Sequence, residues 1–239
     1  MLELKNIAWD APEGENIIQD ISLNIEEGKL AVITGPNGGG KTTTAKLIAG
    51  LITPVSGKIY FDGQDITDTD ITDRAKAGIA YAFQQPVRFK GLSVRDILEL
   101  SAGKELNEGE LCSLLGKVGL CANDYIDREL NAGLSGGEMK RIEIATVLAR
   151  NAKLSVFDEP EAGIDLWSFT KLVEAFREMQ KEKKGTLLII SHQERILEIA
   201  DEIIVVAKGK VKSSGARDEI LPSLLKDEVS NICPLDKCE

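Results

Sequence analysis

Five short, mostly apolar runs punctuate the chain, several of them apolar on consecutive residues: Leu30–Thr34, Ile79–Phe83, Leu154–Asp158, Leu187–Ser191 and Ile203–Ala207. Between them lie stretches with helical spacing. Strands that are apolar on consecutive residues suit a sheet covered by helices on both faces. The alternation predicts an α/β fold with a mainly parallel sheet. The first 25 residues and Lys58–Asp62 alternate instead, which predicts an N-terminal antiparallel β-subdomain at the sheet edge. From about Gln85 to Arg150 one helical pattern follows another with no convincing strand, as in a helical lobe inserted into the core. The expected division is a discontinuous α/β core of residues 1–84 and 151–226, a helical lobe of 85–150, and a tail of 227–239.

Composition narrows the function classes. With 29 Lys plus Arg against 39 Asp plus Glu, the net charge of the 239-residue chain is −10. Such a chain binds anionic partners poorly, so no nucleic-acid role is expected. No run approaches the ~18 apolar residues of a membrane-spanning helix, and MLELKNIAWD lacks the features of a signal peptide. Four cysteines do not make a disulfide framework. The expectation is a cytoplasmic protein with no direct membrane insertion; any membrane it serves is reached through a partner.

The sharpest chemistry lies after the first apolar run. Gly35-Pro36-Asn37-Gly38-Gly39-Gly40-Lys41-Thr42 fits G-x-x-x-x-G-K-[ST], between a strand and the helix-forming segment Thr42–Ala49. Glycines let backbone N–H groups surround phosphate oxygens, and the helix N-terminus adds partial positive charge. Lys41 is expected to reach the β- and γ-phosphates, with Thr42 on Mg²⁺ and Thr43 completing the nucleotide-binding set. A simple glycine turn is the bland alternative, which the strand–loop–helix context disfavours.

Leu154–Asp158 ends in an acid and is followed by Glu159. At a strand end bordering the ligand crevice, Asp158 suits a metal ligand and Glu159 a base for the attacking water. Taken alone, such a pair is a solvated strand terminus. Leu134-Ser135-Gly136-Gly137-Glu138 opens a helix, with Ser135 and Glu138 spaced as a capping box. Two glycines there cost helix stability, which makes sense where the backbone must approach another group, such as a phosphate, closely.

With LSGGE in place, the chain resembles the nucleotide-binding domain of an ATP-binding cassette (ABC) ATPase. Gln84 matches the Q-loop glutamine, Glu161-Ala162-Gly163-Ile164-Asp165 resembles the D-loop, and His192, the single histidine, matches the switch histidine. The resemblance covers residues 1 to about 215. It implies catalytic roles for Glu159, His192 and Gln84, and a place near the metal for Gln84 with Thr42 and Asp158. It further implies head-to-tail pairing with a second copy. Each ATP is then held by one P-loop and by Ser135, Gly136 and Gly137 of the other chain. The family's adenine-stacking aromatic falls nearer Ala11 than Trp9.

Two branches of the family compete. Phe83-Gln84-Gln85-Pro86-Val87 with Gly91-Leu92-Ser93, the run Glu138–Ile144, Ala162–Leu166 and His192–Leu197 resemble the ATPase of the Suf iron–sulfur cluster assembly machinery (SufC) more than a transporter. That resemblance implies a SufB/SufD-type scaffold as partner, docked through the helical lobe and Q-loop. The alternative is the nucleotide-binding subunit of a transporter coupled to a membrane permease, which Pro160 after Glu159 favours. Cys233 and Cys238 could supply half of a metal or cluster site, but a solvated tail with incidental thiols is the expected reading. Cys112 and Cys121 are expected to be small buried hydrophobes, and the acidic run Asp62–Asp73 a solvated connector.

Overall fold

The computed structural model describes residues 1–230 except 86, 131–132 and 183–184, with only the backbone given for 227–230. In chain order the elements are β1 (Leu2–Asp10), β2 (Asn16–Ile25), β3 (Leu30–Thr34), α1 (Lys41–Ala49), β4 (Ser56–Phe61), β5 (Gln64–Asp65), α2 (Ile71–Ala77) and β6 (Ile79–Ala82). Then come α3 (Val94–Ala102), α4 (Glu108–Lys117), α5 (Ala122–Tyr125) and α6 (Gly136–Arg150). They are followed by β7 (Leu154–Asp158), α7 (Leu166–Lys181), β8 (Thr186–Ile190), α8 (Glu194–Leu197), β9 (Glu202–Ala207), β10 (Lys210–Ala216) and α9 (Arg217–Ser230).

Among the described residues, ten strands form one mixed sheet in the order β5-β4-β1-β2-β10-β9-β3-β8-β7-β6. Strands β9, β3, β8, β7 and β6 are parallel to one another, while β5, β4, β1 and β2 pair antiparallel. A single parallel pairing, Lys210 with Asp20, joins the two parts through β10. This is the mixed α/β P-loop architecture that the apolar runs predict.

Every residue of β3, β7 and β8 is buried. Side chains alternate along a strand, so each of these strands feeds two cores. Leu30, Val32, Phe157, Leu187 and Ile189 pack on one face with α3, α4, α6 and α7. Ala31, Ile33, Val156, Leu188 and Ile190 pack on the other with α1 and the antiparallel strands. Two packed faces fix the depth of the strand ends from which the chemistry projects.

Three details differ from the sequence-based expectation. Cys112 and Cys121 are exposed. On α4 the buried stripe is taken by Leu111 and Leu115, one turn apart, which turns Cys112 outward, and Cys121 is the N-cap of α5. The connector Asp62–Asp73 is structured: it carries β5, and Asp70 caps α2. The last helix continues to Ser230, beyond the expected boundary at 226. Cys233 and Cys238 lie outside the described residues.

Candidate functional site

Strand β3 delivers the chain into the loop Gly35–Gly40, with Pro36, Asn37 and Gly38 exposed and Gly39 and Gly40 buried. Gly35 has φ +133°, and a Cβ there would lie 2.1 Å from the Val206 carbonyl oxygen of β9. Only glycine fits that crossing. Lys41 Nζ donates to the carbonyls of Gly35 (2.8 Å) and Pro36 (3.0 Å), which hold the ammonium over its own loop. Burial pulls its pKa down, while Glu159 and Asp158 push it back up. Thr43 follows on the first turn of α1, half-buried.

At the C-terminal end of β7, Asp158 is fully buried. Thr42 Oγ1 donates to its Oδ1 at 3.1 Å and the Tyr81 hydroxyl donates to its Oδ2 at 3.0 Å. Burial raises the Asp158 pKa against these two bonds. A hydroxyl and a carboxylate brought together at the head of the P-loop helix are the hard-oxygen donors a small divalent cation takes, so the residues fit Mg²⁺. Tyr81, at the third position of β6, was not among the residues singled out from the sequence. A tyrosine inside an otherwise small, apolar strand is its only local signal.

Glu159 follows with φ +46°, a left-handed conformation uncommon for a residue with a side chain. Its N–H donates to Ile190 O of β8 at 3.0 Å, and its Oε2 accepts from Gln84 Nε2 at 2.8 Å. The structure thus brings Gln84 against Glu159. His192 is exposed in the three-residue turn between β8 and α8.

The signature segment lies elsewhere. Ser135 caps α6 with Glu138 in a full capping box. Glu138 also accepts from the Tyr125 hydroxyl, and these bonds hold its carboxyl down at about 2. A Cβ on Gly137 would come within 2.5 Å of Gly163 O, whereas nothing lies within 4 Å of one on Gly136. One signature glycine is therefore demanded by this chain's own D-loop, and the other faces open space. Among the described residues, no hydrogen bond joins Ser135, Gly136 or Gly137 to the P-loop. Within one chain, these two parts of the nucleotide-binding set stay unconnected.

Two charges on α6, Lys140 buried and Glu143 half-buried, tie the signature helix to the segment around Gln84. Lys140 Nζ donates to the carbonyl of Phe83 and, at 3.3 Å, to that of Gln84. Glu143 Oε1 accepts from Phe83 N–H at 2.9 Å. Burial pulls the Lys140 ammonium down and pushes the Glu143 carboxyl up, and each charge partly offsets the shift of the other.

The ABC transporter family profile matches residues 18–162, and the matched span runs from β2 through the P-loop, Gln84, the signature helix and Glu159. The chain belongs to the ABC transporter family. It is an ATPase, with ATP as its nucleotide. An uncharacterized ABC transporter ATP-binding protein of Methanocaldococcus jannaschii is 38% identical over 212 residues, covering 85% of this chain and 84% of the relative. The energy-coupling factor transporter ATP-binding protein EcfA1 of Mycoplasma mobile is 34% identical over 239 residues, 97% of this chain and 86% of the relative. Among solved structures, the dimeric ABC transporter cassette MJ0796 superposes with a TM-score of 0.81 at 25% identity, covering 91% of this ABC chain and 99% of that one.

Proposed function

We propose that this ABC ATPase is the nucleotide-binding subunit of a transporter. It works in the cytoplasm as a head-to-tail pair of copies and powers a membrane permease. The likeness to transporter ATP-binding subunits over almost the whole chain carries the reading. Among the described residues no helix is long and apolar enough to cross a membrane. An apolar cavity of about 180 Å³ beside the Q-loop, lined by Phe83, Val87, Phe89, Ile97 and Met139, suits its docking. Val87 and Phe89 are exposed there.

In the proposed cycle the P-loop backbone and Lys41 hold the ATP phosphates on one side. The second copy's Ser135 and Gly136 close the other, which accounts for the open space at Gly136. Thr42 and Asp158 would hold Mg²⁺, with Gln84 nearby; when bound, it neutralises phosphate charge. Glu159 takes a proton from the attacking water, and His192 orients that water on the γ-phosphate. Gln84, bonded to Glu159 and next in sequence to Phe83 of the docking cavity, links hydrolysis to the permease.

One observation favours the Suf reading as a second possibility. Two of the runs that resemble SufC, around Phe83 and along Glu138–Ile144, meet in space through Lys140 and Glu143. The relatives carry transporter names, which supports the permease reading over the Suf reading. Anaerobic purification of the tagged protein from its own cells in mild detergent separates the two. A stoichiometric polytopic membrane protein is expected; a soluble scaffold carrying iron and sulfide would overturn the transporter reading.

A further inference from the structure

Residues Ser191–Gln193 join β8 to α8 and carry His192 between two tethered neighbours. Ser191 is fully buried, and its N–H donates to Ile33 O of β3 at 3.1 Å. Its hydroxyl accepts from Gln193 N–H at 3.0 Å and donates to Glu161 Oε1 at 2.6 Å. One hydroxyl therefore pins the backbone on both sides of His192, and a single carboxylate fixes the direction of that hydroxyl. Glu161 is itself held firmly. Ala162 N–H closes a turn onto Glu159 O at 3.0 Å, and Ile164 N–H donates to Glu161 O at 3.1 Å. The second oxygen, Oε2, is buried without a hydrogen-bond partner. A carboxylate kept dry in this way needs a reason beyond packing.

We propose that Glu161 is a positioning residue for hydrolysis, setting through Ser191 the turn that presents His192. The inference rests on His192 orienting the attacking water. Glu161 touches no reacting atom in this scheme; it acts because a misplaced contact group costs rate. The turn that holds it begins at Glu159, so one short segment sets both the base and the orienting histidine.

Steady-state ATPase kinetics on Glu161→Ala, Ser191→Ala, their double variant, Glu161→Gln and His192→Ala test this. Each alanine single is expected to lower kcat by about ten- to a hundredfold with little change in KM. The double should be no slower than the slower single, since both cut one chain of contacts. Glu161→Gln, whose amide oxygen still accepts from Ser191, should recover most of kcat. Multiplying losses in the double, or wild-type kcat in Glu161→Ala beside a dead His192→Ala, would overturn the Glu161 role alone. Normal turnover in His192→Ala would instead remove the reading beneath it.

Discussion

Thr42 Oγ1 donates a hydrogen bond to Asp158 Oδ1 across 3.1 Å, although the two residues lie 116 positions apart. The bond joins the first turn of the P-loop helix to the far end of β7, through the sheet order β3-β8-β7. On its other side Asp158 leans on Tyr81. Tyr81→Phe should therefore leave a buried carboxylate oxygen unpaired, at a cost of about 1–3 kcal/mol. Urea denaturation checks this, and unchanged stability would argue that the bond contributes nothing net.

Much of this site is legible in local sequence. The P-loop, the strand ending at Asp158 and the capping box at Ser135 each announce themselves within a few residues, because the physics that shapes them is local. Tyr81, Arg74 and the Lys140–Glu143 pair do not. Arg74 is almost fully buried and donates to the carbonyls of Leu47 and Ile48 at the end of α1. It also donates to the Thr67 and Thr69 carbonyls within the acidic connector, but the bonds that tie it to α1 reach 26 and 27 residues upstream, where nothing local signals them. The exposure of Cys112 is equally hidden, because it depends on which stripe of α4 meets α6, and Cys121 is exposed as the N-cap of α5.

Lys140 and Glu143 form a largely buried ion pair, Nζ to Oε2 at 3.7 Å. Lys140→Met alone strands the carboxylate and should destabilise the chain by about 3–5 kcal/mol. The double change Lys140→Met with Glu143→Leu should recover most of that loss. Chemical denaturation of all three proteins provides the check; additive losses would show that the two charges do not depend on each other.

The signature glycines should separate by role. Gly137→Ala drives a Cβ against Gly163 O and should cost the isolated chain about 1–3 kcal/mol. Gly136→Ala meets open space and should leave thermal stability unchanged or slightly higher. It should nevertheless impair ATP-driven pairing, read by analytical ultracentrifugation. Pairing at wild-type level would mean that Gly136 faces no phosphate of the second copy.

The Glu138 carboxyl is held at about 2, below its ordinary 4.5, by Tyr125 and the Ser135 cap. A lowered folded pKa gives stability that is present above 4.5 and is lost as pH falls toward 2. Glu138→Gln should flatten the stability profile across that acid window: its loss, about 1 kcal/mol for the weakened cap, is full above 4.5 and fades as pH falls toward 2. An identical acid slope in the variant would mean that other groups set it.

Glu159→Gln should keep ATP, hold two copies together and lose about a hundredfold or more in turnover. Sizing with bound nucleotide and phosphate release on the same sample measure both halves. Normal turnover would remove Glu159 as the base.

The central claim is that each ATP is completed by the signature of a second copy, and mixing two inactive variants tests it most directly. Lys41→Ala spoils the P-loop of a chain and leaves its signature; Ser135→Arg does the reverse. Each alone should be inactive. Random pairing of equal amounts gives half mixed pairs, each with one intact composite site, so ATPase activity should return to roughly a quarter of wild type. Activity retained by Ser135→Arg alone, or a mixture as inactive as its parts, would contradict the composite site.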